Sequence, residues 1–277
     1  MKHHLILLTV LIVLIGCSKS QNSKTQGIIF DSIDSTFTSS GKLCFVNYEL
    51  PDSSRVSQYY FPNTQTLKHH WHKKNGKEDG LDVWKYDNGN IDKIFHWKNG
   101  VKIGIEKKYY CNGKLRRIKN QATNATLEYF LTNENIKTIT TDTITARFYM
   151  SGALREKEVI IESSRENYYY HENGQLAFSG INIDNDLHKN NKPYTGEILC
   201  LFVNGDTALF ESYAMGKLEG ESKRMYNPET FEYIQFFDKG KHINYRLLYF
   251  DNGLVEFEHY IVNDSMRLWC MDGEKWK

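Results

Sequence analysis

Gly80, Tyr86 and Gly89 are separated by six and then three residues, and that spacing returns at Gly104, Tyr110 and Gly113 and at Gly196, Phe202 and Gly205. Gly220 and Tyr226 keep the first interval with Glu229 in the last place; Asn244, Phe250 and Gly253 keep both with Asn in the first. The leading positions 80 and 104 differ by 24, as do 196, 220 and 244. A period in this range belongs to a repeat architecture, in which each unit buries its apolar face against its neighbours.

Two turn signals fall in each unit. One follows the aromatic residue, at Asn88-Gly89, Asn112-Gly113, Asn204-Gly205 and Asn252-Gly253; the other lies on the return, at Asn75-Gly76, Asn99-Gly100, Met215-Gly216 and Lys239-Gly240. Asn-Gly tolerates positive φ at both central residues, so type I′ hairpin turns are expected at these tips. Tips at 76, 89, 100 and 113 leave room for one strand between each pair and none for a helix. Alternation agrees: Val255, Phe257 and His259 point one way, Glu256 and Glu258 the other. The expected fold is all-β, an elongated, twisted antiparallel sheet of stacked hairpins with a repeat of about 24 residues. Tyr86, Tyr110, Tyr149, Phe202, Tyr226 and Phe250 should form a ladder advancing about 10 Å per repeat. Weaker copies lie at Tyr59–Gly80, Phe148–Leu154 and Tyr170–Leu176, while 120–145 and 181–195 break the beat, the latter with Asn182–Asp186 as a longer loop. The repeat domain therefore spans 57–265, with capping strands over 27–56 and a C-terminal tail over 266–277. Its structural turn residues are Gly80, Gly89, Gly104, Gly113, Gly196, Gly205, Gly220 and Gly253.

The N-terminus carries a separate signal. Met1-Lys2-His3-His4 precedes an apolar run from Leu5 to Ile15, too short to cross a bilayer but suited to a signal-peptide core. The run ends in Leu14-Ile15-Gly16-Cys17 and resembles a bacterial lipoprotein signal. That resemblance implies cleavage after Gly16, a diacylglycerol on the Cys17 thiol and an acylated new amine. Two or three chains anchor stably where one binds marginally. The segments implied are a signal peptide over 1–16 and a polar, flexible tether over 17–26. Ser rather than Asp after the Cys favours the outer membrane of a diderm cell envelope, the leaflet left open.

Tyr110-Cys111-Asn112-Gly113-Lys114-Leu115 and Trp97-Lys98-Asn99-Gly100-Val101-Lys102-Ile103-Gly104 resemble the variant MORN repeat, found among others in the antitoxin-labelled YwqK family. The resemblance covers most of 57–265. It implies stacked hairpins and little about activity, because its Gly, Asn and aromatic positions shape turns and perform no chemistry.

Composition narrows the function classes. Loss of 1–16 removes one Lys and no acid, leaving 34 basic and 34 acidic side chains, so no net field draws in nucleic acid. With 18 Tyr, 15 Phe and 5 Trp the chain is too apolar for disorder. Cys44, Cys111, Cys200 and Cys270 lack zinc-type spacing and read as free or buried thiols. His69-His70-Trp71-His72 is the one dense histidine cluster; His96 repeats the place of His72 with a strand between, so no metal is assigned. Asn182-Ile183-Asp184-Asn185-Asp186 lacks the ligand order of a calcium loop. Lys107-Lys108, Lys114 and Arg116-Arg117 read as a solvated strand face. No nucleophile elbow or zinc-protease motif is present, so neither a catalytic residue nor a cofactor is named and the chain reads as no enzyme. The expected function is a lipid-anchored envelope protein, held at the membrane by its acyl chains, whose sheet binds or scaffolds a protein partner. Its open edges admit self-association. The alternatives are an antitoxin or immunity protein and a hydrolase of glycan or cell wall.

Overall fold

The structure, a computed structural model, describes residues 24–25, 28–29, 32–260 and 265–268. The signal peptide, Cys17, most of the tether and Cys270 lie outside the described residues. Every described element is a strand, and most consecutive strands pair antiparallel through hairpins, with Leu67–Lys74 pairing both Lys77–Glu78 and Gly80–Lys85. Lys24–Thr25 pairs with Ile28–Ile29, at the junction of the expected tether and cap. A long meander then runs from Ser32–Phe37 to Lys192–Pro193, and a second one of seven strands from Gly196–Leu201 to Ser265–Leu268. Among the described residues no register joins Ser32–Phe37 to Lys192–Pro193, so the first sheet is open rather than a barrel.

Alternate tips differ in kind, which corrects the expectation of one turn type. On the return edge both central residues have positive φ, 50° and 82° at Asn99 and Gly100, as a type I′ turn requires. On the aromatic edge only the glycine does, Gly113 at 88°. There Gly113 N–H donates to the Tyr110 carbonyl at 2.9 Å and Tyr110 N–H to the Lys114 carbonyl at 2.8 Å, and the register slips between Lys108 and Tyr109. This is a type I turn closed by a glycine bulge. The Asn112 carboxamide oxygen accepts the Lys114 N–H at 3.0 Å, an Asx turn that keeps Asn in the right-handed region. Gly89, Gly205 and Gly253 close the equivalent tips. Gly80, Gly104, Gly196 and Gly220 lie on strands. At Gly104, φ 69°, the strand takes four steps, Ile103 to Lys107, against two on its partner, His96 to Ile94.

The wide tips place their aromatic residue inward, and where it is a tyrosine its hydroxyl bonds to the next unit. The hydroxyls of Tyr86, Tyr110, Tyr149 and Tyr226 donate to the carbonyls of Tyr109, Tyr129, Tyr170 and Tyr249 at 2.8, 2.9, 2.8 and 3.0 Å. Phe130 occupies the same place inside the stretch that breaks the beat. Its tip has one extra residue, with Glu134, φ 60°, standing where glycine is expected. The segment read as a longer loop at 182–186 is instead a tight hairpin, with Asp184 and Asn185 both at positive φ and Ile183 paired with Asp186.

The second sheet folds back over the first along the aromatic edge. Tyr110 meets Phe250, Phe130 meets Tyr226, and Tyr149 meets Phe202, with ring centroids 6.3, 5.9 and 5.8 Å apart and edges against faces. Beside them Tyr149, Phe178, Leu187, Ile198, Cys200, Ala208 and Leu209 form a buried cluster. The Cys200 thiol is fully buried, and burial pushes its pKa up to about 12; Cys44, Cys111 and Cys200 are all free.

Two stability outcomes follow. Tyr110→Phe keeps the ring packing and loses one bond to a backbone carbonyl, so chemical denaturation should show a loss of about 1 kcal/mol. Gly113→Ala forces a side chain to a left-handed φ and should cost roughly 1–2 kcal/mol.

Candidate binding surface

One cross-strand row runs across the inner face of the first sheet. Registers place Phe45, Tyr59, His69, Trp84, Lys93, Lys108, Arg117, Glu128, Thr138, Arg147, Glu156, Tyr169 and Phe178 side by side in that order. The returning sheet covers the later part of this row. The earlier part lies beyond the aromatic contacts that hold the two sheets together.

Under the returning sheet the row is ionic. The Glu156 carboxylate lies 2.6 Å from Arg224 and 3.3 Å from Arg147. Arg155, 1% exposed, reaches Glu232 at 2.9 Å, and Lys137 reaches the same carboxylate at 3.1 Å and the Tyr226 hydroxyl at 2.9 Å. Burial opposes the charge on both Glu232 and Lys137, but their partners outweigh it. Lys137, Arg155 and Arg224 hold the Glu232 carboxyl well below the usual range, and Glu232 with Tyr226 holds the Lys137 ammonium up. Glu211 goes the other way: burial raises its pKa against the pull of Arg224, while the hydroxyls of Tyr213 and Tyr233 donate to it at 2.9 and 3.3 Å. A polar cleft of about 210 Å³ opens beside this network, lined by Arg147, Glu156, Asn167, Tyr169, Asn182 and Arg224 among others.

Beyond the covering sheet the row is aromatic. Phe45 and Tyr59 lie 4.5 Å apart; Tyr59 stacks on Trp71 at 5.3 Å, Trp71 on His69 at 4.3 Å and His69 on Trp84 at 3.7 Å. The Lys93 ammonium caps the column 4.4 Å from the Trp84 centroid. Buried Asp82 locks it from beneath, contacting His69 Nε2 at 2.8 Å and accepting the Trp97 indole N–H at 2.9 Å. Because neighbouring rings occupy each other's faces at about the strand spacing, the column presents ring edges outward. Tyr59 is 45% exposed, and the other rings are half-buried.

The remaining sequence candidates disperse. His96 is exposed and lies across the strand Gly80–Lys85 from His72. His70 and His72 instead meet each other on the opposite face from the aromatic column, Nε2 to Nε2 at 2.9 Å. Lys114 donates to the Leu131 carbonyl at 3.1 Å, Arg116 pairs with Glu256 and Arg117 with Glu106, so much of the basic stretch is taken up by structure. Asp186 pairs with Lys217 at 2.6 Å. Among the described residues no three metal-ligating side chains converge. The aromatic column was not singled out in the sequence. Its signal was the register of Tyr59, His69, Trp71 and Trp84, which needs strand pairing to be read.

No family model and no curated protein matches the chain. Among solved structures it is similar to chains in TcdB2-TccC3 (13% identity, TM-score 0.23, 91% of this chain and 16% of that one) and TcdB2-TccC3-Cdc42 (13%, 0.21, 87% and 14%). A Photorhabdus luminescens Tc holotoxin pore gives 13%, 0.21, 87% and 15%. The chain thus spans less than a fifth of each of these chains, and at such scores the likeness carries no argument about the surface.

Two measurements probe this face. Glu156→Gln leaves the buried Arg224 without its charge partner and should cost about 3–5 kcal/mol by chemical denaturation. On the opposite face burial, then His72 and His69, lower the His70 pKa from 6.5 to about 4. The unfolded chain therefore binds the proton first. The stability that neutral His70 contributes is complete above pH 6.5 and is lost as pH falls toward 4. Melting temperature followed from pH 7 to 4 should fall less steeply in His70→Gln than in the parent.

Proposed function

We propose that this chain is a lipid-anchored, non-enzymatic envelope protein that holds a protein partner on the aromatic column of its first sheet. The single observation that carries the proposal is the row of Phe45, Tyr59, His69, Trp71 and Trp84, uncovered by the sheet that buries the rest of the same face. Tyr and Trp dominate the anchoring positions of protein interfaces, and here they are immobilised before any partner arrives, which lowers the entropic cost of contact. The geometry favours a protein over a glycan, since sugar recognition by aromatic residues uses an open ring face and these faces are stacked on one another. A hydrolase reading finds no support among the interior carboxylates: Glu156 and Glu232 are bound to cations and Glu211 to two tyrosines. Neutralisation of a toxic partner, implied by the YwqK resemblance, is one version of the same surface. Attachment rests on the Leu14–Cys17 signal alone.

A photo-cross-linking residue at position 59, activated in intact cells, should capture one dominant protein. The same probe at exposed Val203 should not capture it. Trp84→Ala should weaken the captured complex roughly 10- to 100-fold. Identical captures at both positions, or an unchanged affinity in the variant, overturn the proposal. Cys17→Ala should move the protein from the membrane fraction to the soluble one, and retention with an unprocessed N-terminus would refute the anchor.

A further inference from the structure

We propose that His70 and His72 form a two-imidazole site for a divalent transition-metal ion, Cu²⁺ foremost, on the face of strand Leu67–Lys74 opposite the aromatic column. Residues two apart on a strand share a face, and here the two Nε2 atoms converge to 2.9 Å. An ion that binds imidazole nitrogens at about 2.0–2.1 Å, in adjacent positions of a tetragonal shell, needs those nitrogens about 2.9 Å apart. Tetrahedral coordination would need about 3.4 Å, so the tetragonal shell is the one that fits the spacing as it stands.

The surroundings suit a neutral ligand pair. Both imidazoles are half-buried on the strand face, with room between their Nε2 atoms for one ion. Hydrogen-bonded to each other, one Nε2 must carry a hydrogen and the other accept it. As ligands both turn their lone pairs to the ion and carry their hydrogens on Nδ1, so each ring stays neutral. The orienting partner is in place: the Gln58 carboxamide lies 3.3 Å from His70 Nδ1 and is held by the Tyr60 hydroxyl at 2.8 Å. Turned over, that amide accepts the His70 Nδ1–H with its oxygen while its nitrogen donates to Tyr60, the outer-shell arrangement typical of ligating histidines. Gly80 supports His72 from the next strand, where a Cβ would lie 3.3 Å from that of His72 and crowd the ring. Two protein ligands leave the other positions to water.

The test is titration of the processed, detergent-solubilised chain with CuCl₂ in a non-chelating buffer, followed by frozen-solution electron paramagnetic resonance. One equivalent of Cu²⁺ should bind with hyperfine coupling to two imidazole nitrogens. The double variant His70→Gln, His72→Gln should bind at least about 10-fold more weakly, whereas His96→Gln, two strands away, should bind as the parent does. Unchanged affinity in the double variant, loss of binding in His96→Gln, or a parent spectrum lacking coupling to two imidazoles overturns the site. The parent spectrum decides the matter even where the double variant does not fold.

Discussion

Four units of this protein are each tied to the next through a tyrosine at the wide tip. A meander of short hairpins gains little from any single ladder, because a lone two-stranded hairpin is marginal in water. The tip tyrosines supply what the ladder lacks, a side chain that is buried in its own unit and bonded to the backbone of the following one. Each such bond contributes about 1 kcal/mol and each edge-to-face contact about 0.5–1.5 kcal/mol beyond burial. These magnitudes are small, but they recur along one edge of the sheet. The same rings then serve a second purpose, since the faces left over after intra-sheet packing are met by the rings of the returning sheet.

The fold-back explains why the interior holds charge. Where two sheets meet along aromatic tips, the strand bodies behind the tips face each other across a gap filled by long polar side chains. Glu156, Arg224, Arg155, Glu232 and Lys137 fill it as an alternating network. Desolvation makes such a network a poor source of net stability, while a misplaced partner leaves an unpaired buried charge.

Strand content and the placing of tips were legible because turns are local. A positive φ favours glycine or asparagine, and Gly89, Gly113, Gly205 and Gly253 announce it. The difference between the two tip types was not legible, since Asn-Gly serves both. An Asx turn holds Asn112 right-handed in the wide tip, while Asn99 in the tight tip goes left-handed. Phe130 was missed for a related reason: one extra residue lets Glu134 take the left-handed place, and the glycine marker vanishes. The fold-back lay beyond reach altogether, for its contacts join residues as far apart as Tyr110 and Phe250, and no spacing encodes them.

The same distance limit explains why the aromatic column escaped notice while its chemistry is plain in three dimensions. Tyr59, His69, Trp71 and Trp84 sit on three strands and look like ordinary strand aromatics in sequence. Paired in register they become one rigid object, braced by Asp82 from below and Lys93 at its end. The covered half of the face shows what this surface does when a partner is present: another β-sheet seats on it through ring edges and a polar centre. The uncovered half offers ring edges, and its buried carboxylates are taken up within the sheet, Asp82 by His69 and Trp97 and Glu106 by Arg117. Lys93 lies over the Trp84 ring there, while Lys102 lies over Phe95 with Glu106 3.9 Å away. A complementary surface would therefore bring an acidic group to Lys93 and apolar side chains to the ring edges, repeating between molecules the pattern that the returning sheet makes within one.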